Sequence, residues 1–293
     1  MKIAIFGKKY DKAFQPFLLD FLTSLQESSH EMVIYEPYYK FIKNFSSYSL
    51  DEENVFSAPF SKDDNIDLMC SIGGDGTFLE GVSFVHRLPI PMVGINSGRL
   101  GFLANISKEN IAEAWQMIEQ RQYVIEKRTL IELDTDEKIF PEFNFALNEL
   151  TVQKRDSSAM IMIKVFFDDD YVNTYWSDGL ILSTPTGSTA YSLSLGGPIV
   201  MPGSQNFILT PVAPHNLTVR PIVIPDDKEI RIEVSARAES FLVSLDSQYT
   251  AARVGTTLRI RSADFQIKTI RLTGNSYFQT IREKLMWGMD KRN

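Results

Sequence analysis

Through the first 120 or so positions, hydrophobic residues fall into short runs separated by segments of helical spacing. Ile3–Phe6, Met32–Tyr35, Ile66–Ile72 and Met92–Ile95 are compact apolar runs that predict strands. Phe14–Leu25, with apolar residues at 14, 17, 18, 21, 22 and 25, has the period of one helix face; Ile111–Ile118 and the segment from Thr77 also predict helices. Strands alternating with helices predict a parallel sheet covered by helices, and ligands of such sheets lie at the carboxyl ends of strands.

The rhythm changes near residue 122. Runs rich in β-branched and aromatic residues then follow one another with short polar turns: Thr129–Leu133, Phe145–Gln153, Met160–Phe167, Tyr171–Trp176, Leu180–Leu182, Thr218–Ile224, Glu229–Val234, Phe241–Leu245, Thr257–Ile260 and Gln266–Leu272. Only Ser188–Leu195 and the tail Tyr277–Met286 have helical spacing here. The pattern predicts an α/β domain with a parallel sheet over residues 1–122. A β-rich, mainly antiparallel domain ending in a helix is predicted over residues 123–293.

Charge and composition narrow the chemistry. A net charge of −7 and a pI near 5.2 argue against nucleic acid as the main partner, because a duplex binder needs a basic face. Cys70 is the only cysteine, and His30, His86 and His215 are scattered, so no disulfide or Cys/His metal cluster is predicted. Met1–Gly7 reads as a strand rather than a signal peptide. No apolar stretch approaches the roughly 20 residues of a membrane span, and the expectation is a cytoplasmic protein free of membranes.

Two glycine-rich segments carry the candidate chemistry. Gly73-Gly74-Asp75-Gly76-Thr77 follows an apolar run. It reads either as a strand-to-helix turn capped by Asp75 or as a phosphate-holding turn, since glycines let successive N–H groups converge on an anion. It is neither a Walker A loop nor a dinucleotide fingerprint. The second segment, Ser177-Asp178-Gly179 leading to Thr184-Pro185-Thr186-Gly187-Ser188-Thr189-Ala190-Tyr191, sets four hydroxyls and a glycine at a predicted helix N-terminus, where anions and polar groups are favoured. Asn148-Glu149 interrupts an apolar stretch; spacing alone favours surface alternation over a buried, hydrogen-bonded carboxylate. Asp168-Asp169-Asp170 reads as a solvated hairpin tip rather than a calcium loop, and Cys70 as core.

Taken together, these segments resemble the NAD kinase family. The resemblance rests on Gly73–Thr77, Gly94-Ile95-Asn96-Ser97-Gly98-Arg99-Leu100-Gly101-Phe102-Leu103, Leu147-Asn148-Glu149, Ser177–Leu180, Ser183–Tyr191, Pro214-His215-Asn216-Leu217 and Arg220-Pro221. The first motif alone is shared with phosphofructokinases and with diacylglycerol and sphingosine kinases; the Thr-Gly-Ser-Thr-Ala-Tyr segment is more specific. The resemblance implies ATP-dependent phosphorylation of the 2′-hydroxyl of the adenosine ribose of NAD, giving NADP. Asp75 would be the catalytic proton acceptor. Gly74, Asp75, Gly76, Phe102, Asn148, Glu149, Asp178, Thr186, Thr189, Ala190, Tyr191 and Ser194 would contact NAD, with Asp178 at its nicotinamide end. Gly73, Gly74, Gly76, Thr77 and Arg99 would face the phosphates of ATP. Mg²⁺ or another divalent metal would be held mainly by nucleotide phosphates, with no protein metal ligands, and the family pattern implies a homodimer or tetramer. Where family members often read Asp-Gly-Gln, this chain reads Asp246-Ser247-Gln248, and position 247 takes no role. A lipid kinase and a non-catalytic dinucleotide-binding protein are the competing classes; the former lacks an evident membrane-seeking segment, and the latter has no need of Asp75.

Overall fold

The structure is a computed structural model that describes residues 1–44, 46, 54–155 and 160–288. In chain order its first elements are β1 (Lys2–Gly7), α1 (Gln15–Glu27), β2 (Glu31–Tyr35), α2 (Glu36–Lys43), β3 (Val55–Phe56), β4 (Leu68–Gly73), α3 (Asp75–Val85), β5 (Pro91–Asn96) and α4 (Ile111–Glu119). There follow β6 (Tyr123–Asp134), β7 (Phe145–Ala146), β8 (Glu149–Lys154), β9 (Ile161–Phe167), β10 (Asp170–Ser177), β11 (Gly179–Ser183) and α5 (Tyr191–Ser194). The last are β12 (Asn206–Val212), β13 (Ile222–Pro225), β14 (Ile230–Ser235), β15 (Ser240–Leu245), β16 (Gln248–Arg253), β17 (Thr257–Leu272) and α6 (Tyr277–Leu285). They divide into two compact units: Met1–Glu126 with Ile267–Asn293, and Lys127–Gln266.

The first unit is built on a parallel sheet in the order β3-β2-β1-β4-β5. Lys268 and Thr269 of β17 extend it, pairing in parallel with Pro91 and Met92. Chain order reverses between β1 and β4, so a ligand crevice is expected at their carboxyl ends, where Gly7 and Gly73 stand. One face of the sheet, with Ile3, Ile5, Cys70, Ile72 and Val93, packs on Leu18, Leu22, Tyr38, Ile42 and Trp115 of α1, α2 and α4. Each such large apolar side chain contributes about 1.5–3 kcal/mol on burial. Phe78, Val82 and Val85 of α3 are buried as well, and α3 lies close enough to the sheet that a Cβ at Gly81 would stand 3.1 Å from the Met69 methyl.

The second unit holds two antiparallel arrays, β10-β9-β14 with the first half of β17, and β13-β12-β11-β8-β15-β16. Alternate residues from both, among them Ile163, Val165, Ile232, Val152, Leu180 and Val243, share one core. The period-2 pattern of the sequence reappears as this burial: Ile161, Ile163 and Val165 are buried while Lys164 is exposed.

Three differences from the sequence reading have physical causes. A single cut at residue 122 gives way to a division in which Ile267–Asn293, including α6, belongs with the first unit, because the end of β17 pairs with β5. Ser188–Leu195 is not one helix but a 3₁₀ turn at Gly187–Thr189 followed by the four-residue α5, broken at Ala190 (φ −100°, ψ −129°). Phe145–Gln153 is split at Leu147-Asn148, whose amides leave the ladder for a side chain described below.

Candidate functional site

In the first unit the glycine-rich turn ends β4 and starts α3, with Gly74 as N-cap and Asp75 as the first helical residue. The half-buried Asp75 carboxylate turns towards the loop after β5 and takes three consecutive backbone donors. Phe102 N–H bonds Oδ2 at 2.9 Å, while Leu103 and Ala104 N–H bond Oδ1 at 3.0 and 2.9 Å. The same loop donates Ser97 N–H to Gly73 C=O at 3.2 Å, and Asn96 fixes its base by accepting Gly98 N–H at 2.7 Å. The two motifs of this unit therefore form one constellation. Gly101 is required by this contact, since a Cβ there would overlap the Asp75 carboxylate. Gly101→Ala is expected to push that carboxylate aside and lower turnover about 10²-fold, the cost of a displacement near 1 Å at a reacting group. Steady-state kinetics on the folded variant checks this, and unchanged turnover would show that the contact is only packing.

Around that loop, Phe102 is half-buried, touching the Tyr277 ring at 6.3 Å between centroids, with the Lys284 ammonium 5.8 Å from its own centroid. Gly74 and Gly76 are exposed, and Arg99 projects as an exposed cation from the same loop. Thr77 N–H and Phe78 N–H both bond Gly74 C=O.

In the second unit the start of β8, the end of β11 and the end of β15 meet at one edge of a sheet. Asp246 lies in the two-residue turn joining β15 to β16 and is half-buried. Its Oδ2 accepts Leu147 N–H at 2.7 Å, its Oδ1 accepts Asn148 and Glu149 N–H at 2.9 and 3.0 Å, and its own N–H bonds Glu149 C=O at 3.0 Å. On the other side, Thr184 N–H bonds Asn148 C=O at 2.9 Å and its hydroxyl bonds Leu147 C=O at 2.6 Å. Held this way, Asn148 Oδ1 and Glu149 Oε2 are buried with no hydrogen-bond partner. Burial first, and then the neighbouring Asp246, push the Glu149 carboxyl up to about 8, against a lowering hydrogen bond from Tyr191 N–H. Burial also lifts Asp246 to about 6 despite its three amides. The surface-alternation reading of Asn148-Glu149 is thereby overturned. An orphaned polar pair is costly unless a ligand completes it.

The hydroxyl-rich segment is less available than its sequence suggests. Thr184 also accepts Gly187 N–H, Ser188 bonds Pro185 and Val200, and Thr189 bonds Thr186 C=O. These groups shape the turn rather than crown a helix N-terminus; the buried Thr186 hydroxyl takes part in none of those bonds, and Tyr191 and Ser194 are exposed. Asp178 stands apart from Asn148-Glu149. It precedes β11, whose far end carries Ser183 opposite Glu149, a separation of roughly 15 Å along the strand. Its carboxylate pairs with Lys154 at 2.6 Å. Among the described residues, no three His, Cys, Asp or Glu side chains converge as a metal site. Asp246, which organises this end of the sheet, is a residue that sequence reasoning left without a role.

Residues 22–123 match the ATP-NAD kinase N-terminal domain, and residues 147–272 match the ATP-NAD kinase C-terminal domain. The chain belongs to the NAD kinase family. The NAD kinase of Flavobacterium johnsoniae is 42% identical over 295 residues, with 100% of both chains covered. Among solved structures, yeast NADH kinase complexed with NADH superposes with a TM-score of 0.85 at 26% identity, over 99% of this chain and 89% of that one. An NAD kinase from Archaeoglobus fulgidus in complex with ATP gives 0.74 at 26% identity, over 98% and 99%. Both NAD kinase domain matches include residues of the constellations above, Gly73–Ala104 in the first and Leu147–Asp246 in the second.

Proposed function

We propose that this chain is an ATP-dependent NAD kinase that phosphorylates the 2′-hydroxyl of the adenosine ribose of NAD, giving NADP. Beyond family membership, the observation that carries this reading is the buried, unpartnered pair Asn148 Oδ1 and Glu149 Oε2, which suits the adjacent hydroxyls of a ribose. Tyr191, whose N–H bonds the Glu149 carboxyl, and Thr186, Thr189, Ala190 and Ser194 of the same segment are assigned to the same nucleoside. Asp178, remote from the pair, is assigned to the nicotinamide end.

Asp75 is assigned the proton. Oδ1 already accepts two N–H groups, whereas Oδ2 accepts one and keeps a lone pair for the ribose hydroxyl. As the ribose oxygen bonds to the γ-phosphorus, the bond to the bridging oxygen of ADP breaks, and the hydroxyl proton passes to Oδ2. The turn at the start of α3, with Gly74, Gly76 and Thr77, together with Gly73 and Arg99, is assigned to the donor phosphates. A divalent metal enters with those phosphates as part of the nucleotide substrate and neutralises their charge. We assign the enzyme to the cytoplasm as a homodimer or tetramer acting apart from nucleic acid and membranes. Among the described residues no helix is long and apolar enough to cross a membrane.

The test is purified protein with NAD, ATP and Mg²⁺, coupled to an NADP-specific dehydrogenase. NADP should accumulate only when all three are present. No NADP with any nucleoside triphosphate or polyphosphate would overturn the reading, and phosphorylation of diacylglycerol instead would favour a lipid kinase.

A further inference from the structure

We infer that Asp246 is the positioning residue for NAD, fixing the backbone of Leu147-Asn148-Glu149 so that the Asn148 and Glu149 side chains present their unpartnered oxygens to the ribose. The inference rests on the reading of those two side chains as NAD contacts. Four hydrogen bonds join one residue to this tripeptide, three into the carboxylate and one back to Glu149 C=O. No strand ladder could hold the segment this way: three consecutive amides point to the same side, whereas a strand alternates them. The turn that supplies the carboxylate is itself unusual, with Asp246 at φ 51°, a region that Asp and Asn enter more readily than other non-glycine residues. From the opposite side, Thr184 clamps the Leu147 and Asn148 carbonyls, and a Cβ at Gly187 would overlap the Asn148 carbonyl. With both edges of the peptide fixed, the orientation of Asn148 and Glu149 is set before any ligand arrives. Preorganisation of this kind acts on binding rather than on the chemical step.

The grip repeats that of Asp75 in the first unit, where one oxygen takes one amide and the other takes the next two. Asp75 is assigned to the reacting atoms. Asp246 turns its carboxylate onto three amides of the tripeptide and acts through the peptide it holds.

Asp246→Asn keeps the turn conformation but sets an amide NH₂ against the Leu147 N–H, so the grip is lost on one oxygen. The expected result is a KM for NAD raised at least tenfold, with kcat within threefold and the KM for ATP within twofold of the parent. Glu149→Ala serves as the control for the underlying reading. If Glu149→Ala leaves NAD binding unchanged, that reading fails and the inference with it; if Glu149→Ala weakens NAD while a folded Asp246→Asn does not, the inference alone fails. A fall in kcat at unchanged KM for NAD, or equal losses for both substrates, also overturns it. Should Asp246→Asn not fold, hydrogen exchange on the parent protein decides. Slow exchange at the Leu147, Asn148 and Glu149 amides, slowed further by NAD but not by ATP, supports the inference, and unprotected amides overturn it.

Discussion

Asp75→Asn is expected to lower kcat about 10²–10⁴-fold, the usual loss when a positioned proton acceptor is removed. The structure adds a second expectation. The Asp75 carboxylate also accepts Phe102, Leu103 and Ala104 N–H, and an asparagine NH₂ facing one of them loses that bond and sets donor against donor. The same variant should therefore lose about 1–3 kcal/mol of stability, as for a polar group left without its partner. Coupled-assay kinetics and thermal unfolding on one preparation separate the two effects. Near-parental turnover in a destabilised variant would leave Asp75 as a clamp on the 102–104 loop and move the proton elsewhere. Full stability with abolished turnover would make the amide bonds incidental.

Glu149→Gln is expected to make the ligand-free protein more stable at high pH while impairing NAD binding. In the folded chain the Glu149 carboxyl titrates near 8, well above its ordinary value of 4.5, because burial and the neighbouring Asp246 both disfavour the anion. The folded state thus keeps a proton that the unfolded state releases, and the parent loses stability as pH rises from about 4.5 to about 8. Glutamine has no proton to lose. At pH 8.5 the variant should exceed the parent by on the order of 3 kcal/mol, given ~1.36 kcal/mol per pKa unit and a share of the shift taken by coupling to Asp246. Near pH 4 the two should coincide. Denaturant unfolding across this range is the measurement, and parallel stability curves would show that Glu149 is not held protonated by its site. Asp246 adds a smaller slope of the same sign, over the window from 3.8 to about 6.

Much of this was legible in the sequence wherever periodicity and turn chemistry agree. The strands β1, β2, β4 and β5 and the helices α1, α3 and α4 lie within a few residues of the apolar runs that predicted them. The failures are local. β12 reads poorly because Pro211 interrupts it, and the proline is tolerated because the pairing with β13 ends at Leu209, before reaching it. β16, Gln-Tyr-Thr-Ala-Ala-Arg, is an edge strand whose only partner among the described residues is β15 and whose residues are largely exposed, so it carries little apolar signal. β17 looked like two strands because Arg261, Ser262 and Asp264 interrupt its apolar pattern. The helix α2 begins at Glu36-Pro37, where proline at the first turn marks a start rather than a break. Asp246 was illegible for a different reason: its partners are main-chain amides, which carry no side-chain signature, and a lone aspartate before a polar turn residue looks like turn chemistry alone. Asn148 and Glu149 were ambiguous by spacing, and only the burial of Asn148 Oδ1 and Glu149 Oε2 shows that they do not simply face solvent.

The return of Ile267–Asn293 to the first unit bears on how the chain is made. Residues 127–266 are contiguous and can collapse as soon as they leave the ribosome, whereas the sheet begun by Lys2–Gly7 gains its last strand only after that whole unit has been made. Pairing Lys268 with Pro91 closes a long loop, so formation of that edge is slow in proportion to its contact order. The Asp75 loop, whose Phe102 ring rests on Tyr277, is thus finished only once α6 has been made. A chain paused or cut before Ile267 would carry a completed Asn148–Glu149 pocket without a completed Asp75 loop, and turnover would be withheld until the segment from Ile267 through α6 is added.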